Sequence, residues 1–257
     1  MPIITLTTDW NNDDFYIASV KGAIHSYCSN TVIVDITHKI KTFNIFHAAF
    51  ILKNSYKLFP EGTIHIMGVN TDGNSEQPFL AAEYDGHYFI GTDNGIFSLL
   101  FDSAPTKIVV IENLISTSFA VIEVFIKVAS ELINGTAIES LGTKTEQFVR
   151  RTPLLATIEE STIIGSIVYI DSYQNAITNI SKEIFEQVGK NRQFKIYVQS
   201  NGNVISKINK KYGETSPGEL LALFNSINLL EIAIFNGNAA ELLGLDTNST
   251  VRIKFSK

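Results

Sequence analysis

Residues 3–27 read IITLTTDWNNDDFYIASVKGAIHSY. Ile3–Thr7 is β-branched and apolar, which predicts a strand buried in a parallel sheet. From Phe15 to Tyr27 the apolar residues recur at helical spacing, and Tyr16, Val20, Ile24 and Tyr27 share one face. Between strand and helix lies Asp9-Trp10-Asn11-Asn12-Asp13-Asp14. The carboxyl end of a strand feeding a helix is where open α/β sheets take their ligands. A phosphate site there would need glycines and a Lys or Arg. This loop has neither, and its three carboxylates suit a cation or a pair of hydroxyls. The two oxygens of Asp9 can accept from both hydroxyls of a ribose cis-diol. Asp13 and Asp14 have a second reading as helix N-caps.

Outward from this stretch, strand and helix patterns alternate. Thr31–Ile36 reads as a strand, Ile45–Leu58 as a helix stopped by Pro60, and Thr63–Val69 as a strand. Phe79–Tyr84 and His87–Ile90 flank Asp85-Gly86, a type I′ hairpin signal. Ile122–Ile133 reads as a helix ended by Asn134-Gly135. This alternation predicts an N-terminal α/β domain with a mainly parallel sheet over residues 1–152. After Arg150-Arg151-Thr152-Pro153 the pattern turns to short strands with Asn-Gly turns and two short helices. That predicts a C-terminal β-barrel domain over residues 160–257.

The chain has 257 residues, 45% hydrophobic and 18% charged, ample for a sizeable core. A net charge of −6 and only two basic doublets argue against nucleic-acid binding. The single cysteine, Cys28, excludes an intramolecular disulfide and a Cys-based zinc site, and the five histidines show no metal spacing. No apolar run reaches the roughly 18 residues of a membrane span, and no signal peptide is evident at the start. The expectation is a cytoplasmic protein with no membrane partner, no metal and no cofactor. His38, just after a strand end, is a candidate to line a site, whereas His65 within a strand reads as structural.

No general catalytic motif is present: neither G-x-S-x-G, H-E-x-x-H, a P-loop nor G-x-G-x-x-G occurs. A second polar turn, Asp171-Ser172-Tyr173-Gln174-Asn175, joins two strands. Its carboxylate can accept from an ammonium and its carboxamide can donate to a carboxylate, as a zwitterionic amino acid requires. An Asx-turn is the purely structural alternative. Asn225-Ser226 ends one later strand and Asn236-Gly237-Asn238 the next.

Six segments now fall in order: ITLTTDWNNDDFYIASVKGAI, VDITHKIKTFNIFHAAF, FPEGTIHIMGVNTDG, YFIGTDNGIFSLL, IVYIDSYQNAITNI and LLEIAIFNGNAAELLG. Together they resemble the S-adenosylmethionine (SAM) hydroxide adenosyltransferases, whose family includes the SAM-dependent chlorinases and fluorinases. The resemblance runs over nearly the whole chain. It implies a homotrimer, with SAM between the N-terminal domain of one subunit and the C-terminal domain of the next. By position it implies Asp9 as the ribose ligand and Phe43 and Phe119 as aromatics around the nucleoside. It implies Asp171 and Asn175 at the methionine end, with Tyr173 for the usual phenylalanine, and Ser226 at the methionine carboxylate. The backbone of Ile234–Asn236 matches the adenine-edge contacts.

The family's hydrolytic members position a water with an Asp, an Arg and a His. Here those positions read Asn70, Gln77 and Ala120. Asp72 and Glu76 are then the candidate bases, and Asn70 and Gln77 the candidate water-orienting groups. The reaction implied is displacement at ribose C5′ of SAM by water or hydroxide, giving adenosine and methionine. The alternative is a non-catalytic protein that senses or sequesters SAM or adenosine.

Overall fold

The structure is a computed structural model that describes residues 1–111 and 119–256. It divides into two compact units, Met1–Pro153 and Leu154–Lys257.

The first unit is built on a seven-stranded sheet. In chain order its elements are β1 (Ile3–Thr8), α1 (Tyr16–Tyr27), β2 (Val32–Thr37), α2 (Ile45–Lys53), β3 (Ile64–Gly68), β4 (Phe79–Tyr84), β5 (His87–Thr92), α3 (Ile96–Leu100), β6 (Lys107–Ile111), α4 (Ile126–Ile133) and β7 (Gly142–Lys144). The strand order is β2-β1-β3-β5-β4-β6-β7. β2, β1, β3 and β5 run parallel, and the remaining pairings are antiparallel. One core lies between the sheet and α1 and α4, and a second between the sheet and α2 and α3. β1 therefore sits inside the sheet with both faces covered, as its β-branched, Ile- and Thr-rich run predicts.

Three local features depart from the periodic reading. On α1 only Val20 and Ile24 are buried; Tyr16 and Tyr27 lie 37% and 52% exposed. The helix expected over residues 45–58 ends at Lys53. There Asn54 Nδ2 donates to the Phe50 carbonyl, and Ser55 Oγ donates to those of Ile51 and Leu52. Side chains competing for backbone carbonyls break the ladder, and a 3-10 turn over Tyr56–Leu58 follows. Val121–Phe125 forms a π-helix that leads into α4. The Asp85-Gly86 hairpin turn has φ of 53° and 78°, the positive pair that a type I′ turn needs.

The core on the α2 side adjoins a buried polar pair. His65 Nδ1 lies 2.7 Å from Thr5 Oγ1, and its Nε2 lies 3.2 Å from His87 Nδ1. His65 also stacks on Phe89, with ring centroids 4.8 Å apart. Burial first, then the neighbouring His87, pushes the His65 imidazole down to about 3. It is a structural residue, as its place within a strand predicts.

The second unit carries β8 (Thr157–Glu159), β9 (Thr162–Ile170), β10 (Ala176–Ser181), α5 (Lys182–Gly189), β11 (Phe194–Val198), β12 (Val204–Ile205), β13 (Leu220–Phe224), β14 (Leu229–Ile234), α6 (Ala239–Leu243) and β15 (Thr250–Phe255). Eight strands form a nearly closed, barrel-like antiparallel sheet in the order β12-β11-β15-β9-β10-β14-β13, with β8 on β9. Alternate residues such as Ile163, Ile167, Ile180, Ile196, Ile232 and Ile253 point into a single core. Among the described residues, no helix is long and apolar enough to cross a membrane.

Candidate functional site

A cleft of about 490 Å³ opens at the carboxyl ends of β1 and β3. Three carboxylates line it, those of Asp9, Asp14 and Asp72. Four aromatics line it as well: Trp10, Tyr16, Phe43 and Phe119. No Lys or Arg is among the lining residues. The strand order explains the convergence. With β1 between β2 and β3, the segments that follow all three strands meet at one sheet edge.

Asp9 follows β1 directly. Its Oδ2 accepts the backbone N–H of Phe43 at 2.8 Å, and no described protein group holds its Oδ1. Phe43 sits at φ 63°, a left-handed conformation that costs a non-glycine residue roughly 1–2 kcal/mol. The Asp9 hydrogen bond helps offset that strain and holds the phenyl ring at the cleft, 67% exposed. Trp10 and Tyr16 both meet Phe119 edge to face, at 5.4 and 5.3 Å between centroids. Trp10 also needs Gly68: a Cβ there would come within 2.7 Å of the indole ring.

Beyond β3 the chain turns at Asn70, φ 49°, into the loop that carries the catalytic candidates. The Asp93-Asn94-Gly95 turn clamps both ends of this loop. Asn94 Nδ2 donates to the carbonyls of Val69 and Asn70 at 3.1 Å each, and Asp93 N–H donates to the Pro78 carbonyl at 2.8 Å. Burial raises the Asp93 carboxyl, an effect partly offset by the Val149 N–H that it accepts. Asn70 and Asp72 line the cleft, whereas Glu76 and Gln77 do not. The backbone N–H groups of Glu76 and Gln77 both donate to Asn74 Oδ1, at 2.8 and 2.9 Å. Ala120 is buried in the core.

The remaining candidates lie in the second unit. Asp171 Oδ1 accepts the N–H groups of Tyr173 and Asn175 at 2.9 and 2.8 Å, and Asn175 Nδ2 lies 3.2 Å from Asp171 Oδ2. Part of the Asp171 carboxylate's capacity is thus spent on an Asx-turn, and Tyr173 projects outward, 76% exposed. Because β14 runs antiparallel to β10, Ile234 and Asn236 end on the same rim as this turn. Ser226, in the β13–β14 hairpin, lies at the opposite end of β14. Between them Glu231 is buried and accepts from Tyr212 O–H at 2.6 Å and Asn225 Nδ2 at 3.2 Å. Burial, then that hydrogen bond, pushes the Tyr212 hydroxyl well above its ordinary value.

Sequence reasoning marked the Asp9–Asp14 loop but singled out only Asp9 in it, and it missed Tyr16, Thr42 and Thr71 as lining residues. The one available signal was a lone tryptophan inside an acidic loop. His38 does not line the cleft; it lies behind the Asp9 loop. Among the described residues, no group of three His, Cys, Asp or Glu side chains could hold a metal ion.

Sequence models of the SAM hydroxide adenosyltransferase N-terminal and C-terminal domains match residues 4–142 and 165–252. The chain belongs to the SAM hydroxide adenosyltransferase family. Relatives within it include an (R)-S-adenosyl-L-methionine hydrolase of Methanocaldococcus jannaschii, 29% identical over 98% of this chain and 96% of the relative. Another relative with that name, from Thermus thermophilus, is 26% identical over 96% and 97% of the two chains. A fluorinase of Actinopolyspora mzabensis matches only 24% of this chain and 21% of its own, at 32% identity. The fold also matches the crystal structure of an uncharacterised conserved protein from Thermotoga maritima. It has a TM-score of 0.87 and 23% identity, over 99% of this chain and 100% of that one. The crystal structure of a conserved hypothetical protein from Thermus thermophilus matches with a TM-score of 0.78 and 25% identity, over 98% and 100%.

Proposed function

We propose that the protein cleaves SAM at ribose C5′ with water or hydroxide, releasing adenosine and L-methionine. The observation that carries this reading is the cleft itself. Three carboxylates, four aromatics and no cation suit a cationic adenosyl ligand and disfavour phosphorylated nucleosides. Full-length relatives named as SAM hydrolases support the same reaction. An oxygen nucleophile forms the new C5′–O bond as the C5′–S bond breaks, and the sulfur keeps the electron pair. Positively charged sulfonium becomes neutral thioether, so the leaving group needs no general acid. The chain's task is to align and desolvate the nucleophile. A water also has to lose a proton, and in this reading Asp72, the loop carboxylate that lines the cleft, takes it.

Asp9 is the ribose ligand in this reading, with Phe43 and Phe119 around the nucleoside. Asp171, Asn175 and the Ile234–Asn236 rim serve the methionine and adenine ends from a neighbouring copy in a homotrimer, a ring of heterologous contacts. Ser226 would reach the ligand only from the far end of β14. A free, buried Cys28 fits a reducing, cytoplasmic setting. Light scattering at micromolar concentration is expected to give three times the 28.5 kDa chain mass; a monomer mass would refute the ring.

Asp9→Ala is expected to weaken adenosine binding by at least about tenfold, because charge-assisted hydrogen bonds to the diol are lost. Asp9→Asn keeps an acceptor for the Phe43 N–H and is expected to retain more affinity. Unchanged calorimetric affinity in folded Asp9→Ala would remove Asp9 from the site. The reaction is tested by incubating the protein with SAM, with and without chloride, and identifying products by mass. A 5′-chloro product would overturn the water reading. Tight SAM binding with no product above the uncatalysed background would favour the sensor reading, which the loss of the family's Asp, Arg and His supports.

A further inference from the structure

We propose that His38 is a positioning residue for the Asp9 loop, holding it from behind through Thr8. The proposal rests on the ribose role of Asp9 given above.

His38 is 6% exposed and reaches no cleft surface. Its Nδ1 lies 2.8 Å from Thr8 Oγ1, and Thr8 is fully buried at the last position of β1. On the other side, Asp35 Oδ1 stands 3.1 Å from Nε2, at ion-pair distance though off the line of a hydrogen bond. Asp35 is itself held by Lys21, whose Nζ donates to Oδ2 at 2.5 Å. Burial alone would raise the Asp35 carboxyl, but the bond from Lys21 and the nearby His38 ring outweigh it and keep it below the ordinary range. The ring is therefore hydrogen-bonded at Nδ1, with the Asp35 carboxylate close beside Nε2. The backbone repeats the grip: Asn11 N–H donates to the His38 carbonyl at 2.9 Å, and Ile40 N–H donates to the Thr8 carbonyl at 3.3 Å.

Asp9 lies between these anchors, with Thr8 held on one side and Asn11 on the other. Asn11 is at φ 60°, a conformation that the anchored loop imposes. Few other bonds fix the backbone here; Asp9 N–H reaches the Gly68 carbonyl only at 3.4 Å. A carboxylate that must meet two hydroxyls at once depends on such support, because small misplacements are costly. A buried histidine that merely satisfies its own nitrogens would stabilise the fold without favouring one nucleoside over another.

The test is calorimetric binding of adenosine and 2′,3′-dideoxyadenosine to the full chain and to Thr8→Val, Thr8→Ser, His38→Gln and Asp9→Asn. Thr8→Val removes the hydroxyl and keeps the shape. It is expected to lower adenosine affinity about fivefold while leaving dideoxyadenosine affinity unchanged. Thr8→Ser should restore the preference, and Thr8→Val should add nothing on top of Asp9→Asn. His38→Gln is expected to follow Thr8→Val. Equal losses for both nucleosides in a folded Thr8→Val, or a loss that persists in the Asp9→Asn background, would overturn the proposal. If the unaltered protein binds both nucleosides equally, the ribose reading of Asp9 falls first and the proposal falls with it.

Discussion

Asp72→Asn is expected to lower kcat for SAM cleavage by about 10²-fold or more, the usual cost of losing a positioned proton acceptor. Adenosine affinity should stay within about a factor of two, since an uncharged isostere keeps the cleft's shape. The loop after β3 carries two carboxylates, Asp72 and Glu76. Of these, Asp72 lines the cleft, while Glu76 is outside it, in a turn gathered by Asn74. Asn70 and Gln77 cannot take a proton at neutral pH, and Ala120 faces the core. Glu76→Gln is therefore expected to leave kcat unchanged. Asp14→Asn is the control for charge alone, because Asp14 lines the same cleft. Steady-state kinetics on the three variants decides the matter. An equal loss in Asp14→Asn would make the effect electrostatic, and a loss confined to Glu76→Gln would move the base.

The second large effect is on stability in acid. His65 titrates near 3 in the folded protein, because burial and then His87 oppose its charged form. Its unfolded value is near 6.5, so below that pH the unfolded chain takes up the proton first. The contribution of His65 is complete above 6.5 and is lost progressively as pH falls towards 3. Between pH 6.5 and 4 that loss is about 3 kcal/mol, a large share of a typical 5–15 kcal/mol. His87 is shifted in the same direction by burial, opposed by Asp85 and Glu61, and adds to the trend. Urea unfolding at pH 7, 5.5 and 4 should show the decline. His65→Gln keeps hydrogen-bonding groups for Thr5 and His87 but cannot be protonated, and it should flatten the decline. An unchanged slope in that variant would place the acid sensitivity elsewhere.

Much of this architecture is legible one segment at a time. The β-branched run of Ile3–Thr7, the helical spacing of Val20 and Ile24 and the Asp85-Gly86 turn each specify a local conformation. The acidic, glycine-free loop after β1 marked Asp9 by the same kind of reasoning, since residue type at a strand end limits what can be bound there. Where the periodic reading erred, a competing local bond had intervened, as when Asn54 and Ser55 ended α2.

By itself, then, the sequence determined two domains' worth of elements, an α/β unit followed by a β-barrel unit, and an anionic loop at the carboxyl end of β1. Periodicity and turn chemistry act over a few residues, so they can be read without knowing the partners. Only the tertiary structure decided which side chains share the cleft. Trp10, Tyr16, Phe43, Asp72 and Phe119 come from four separate stretches; the first four meet because β1 pairs between β2 and β3, and Phe119 joins them by packing on Trp10 and Tyr16. The same is true of His38 behind Thr8, and of Ser226 at the far end of β14 from Asp171. Strand order and register arise from burial summed over the whole sheet, a non-local quantity that no single segment carries.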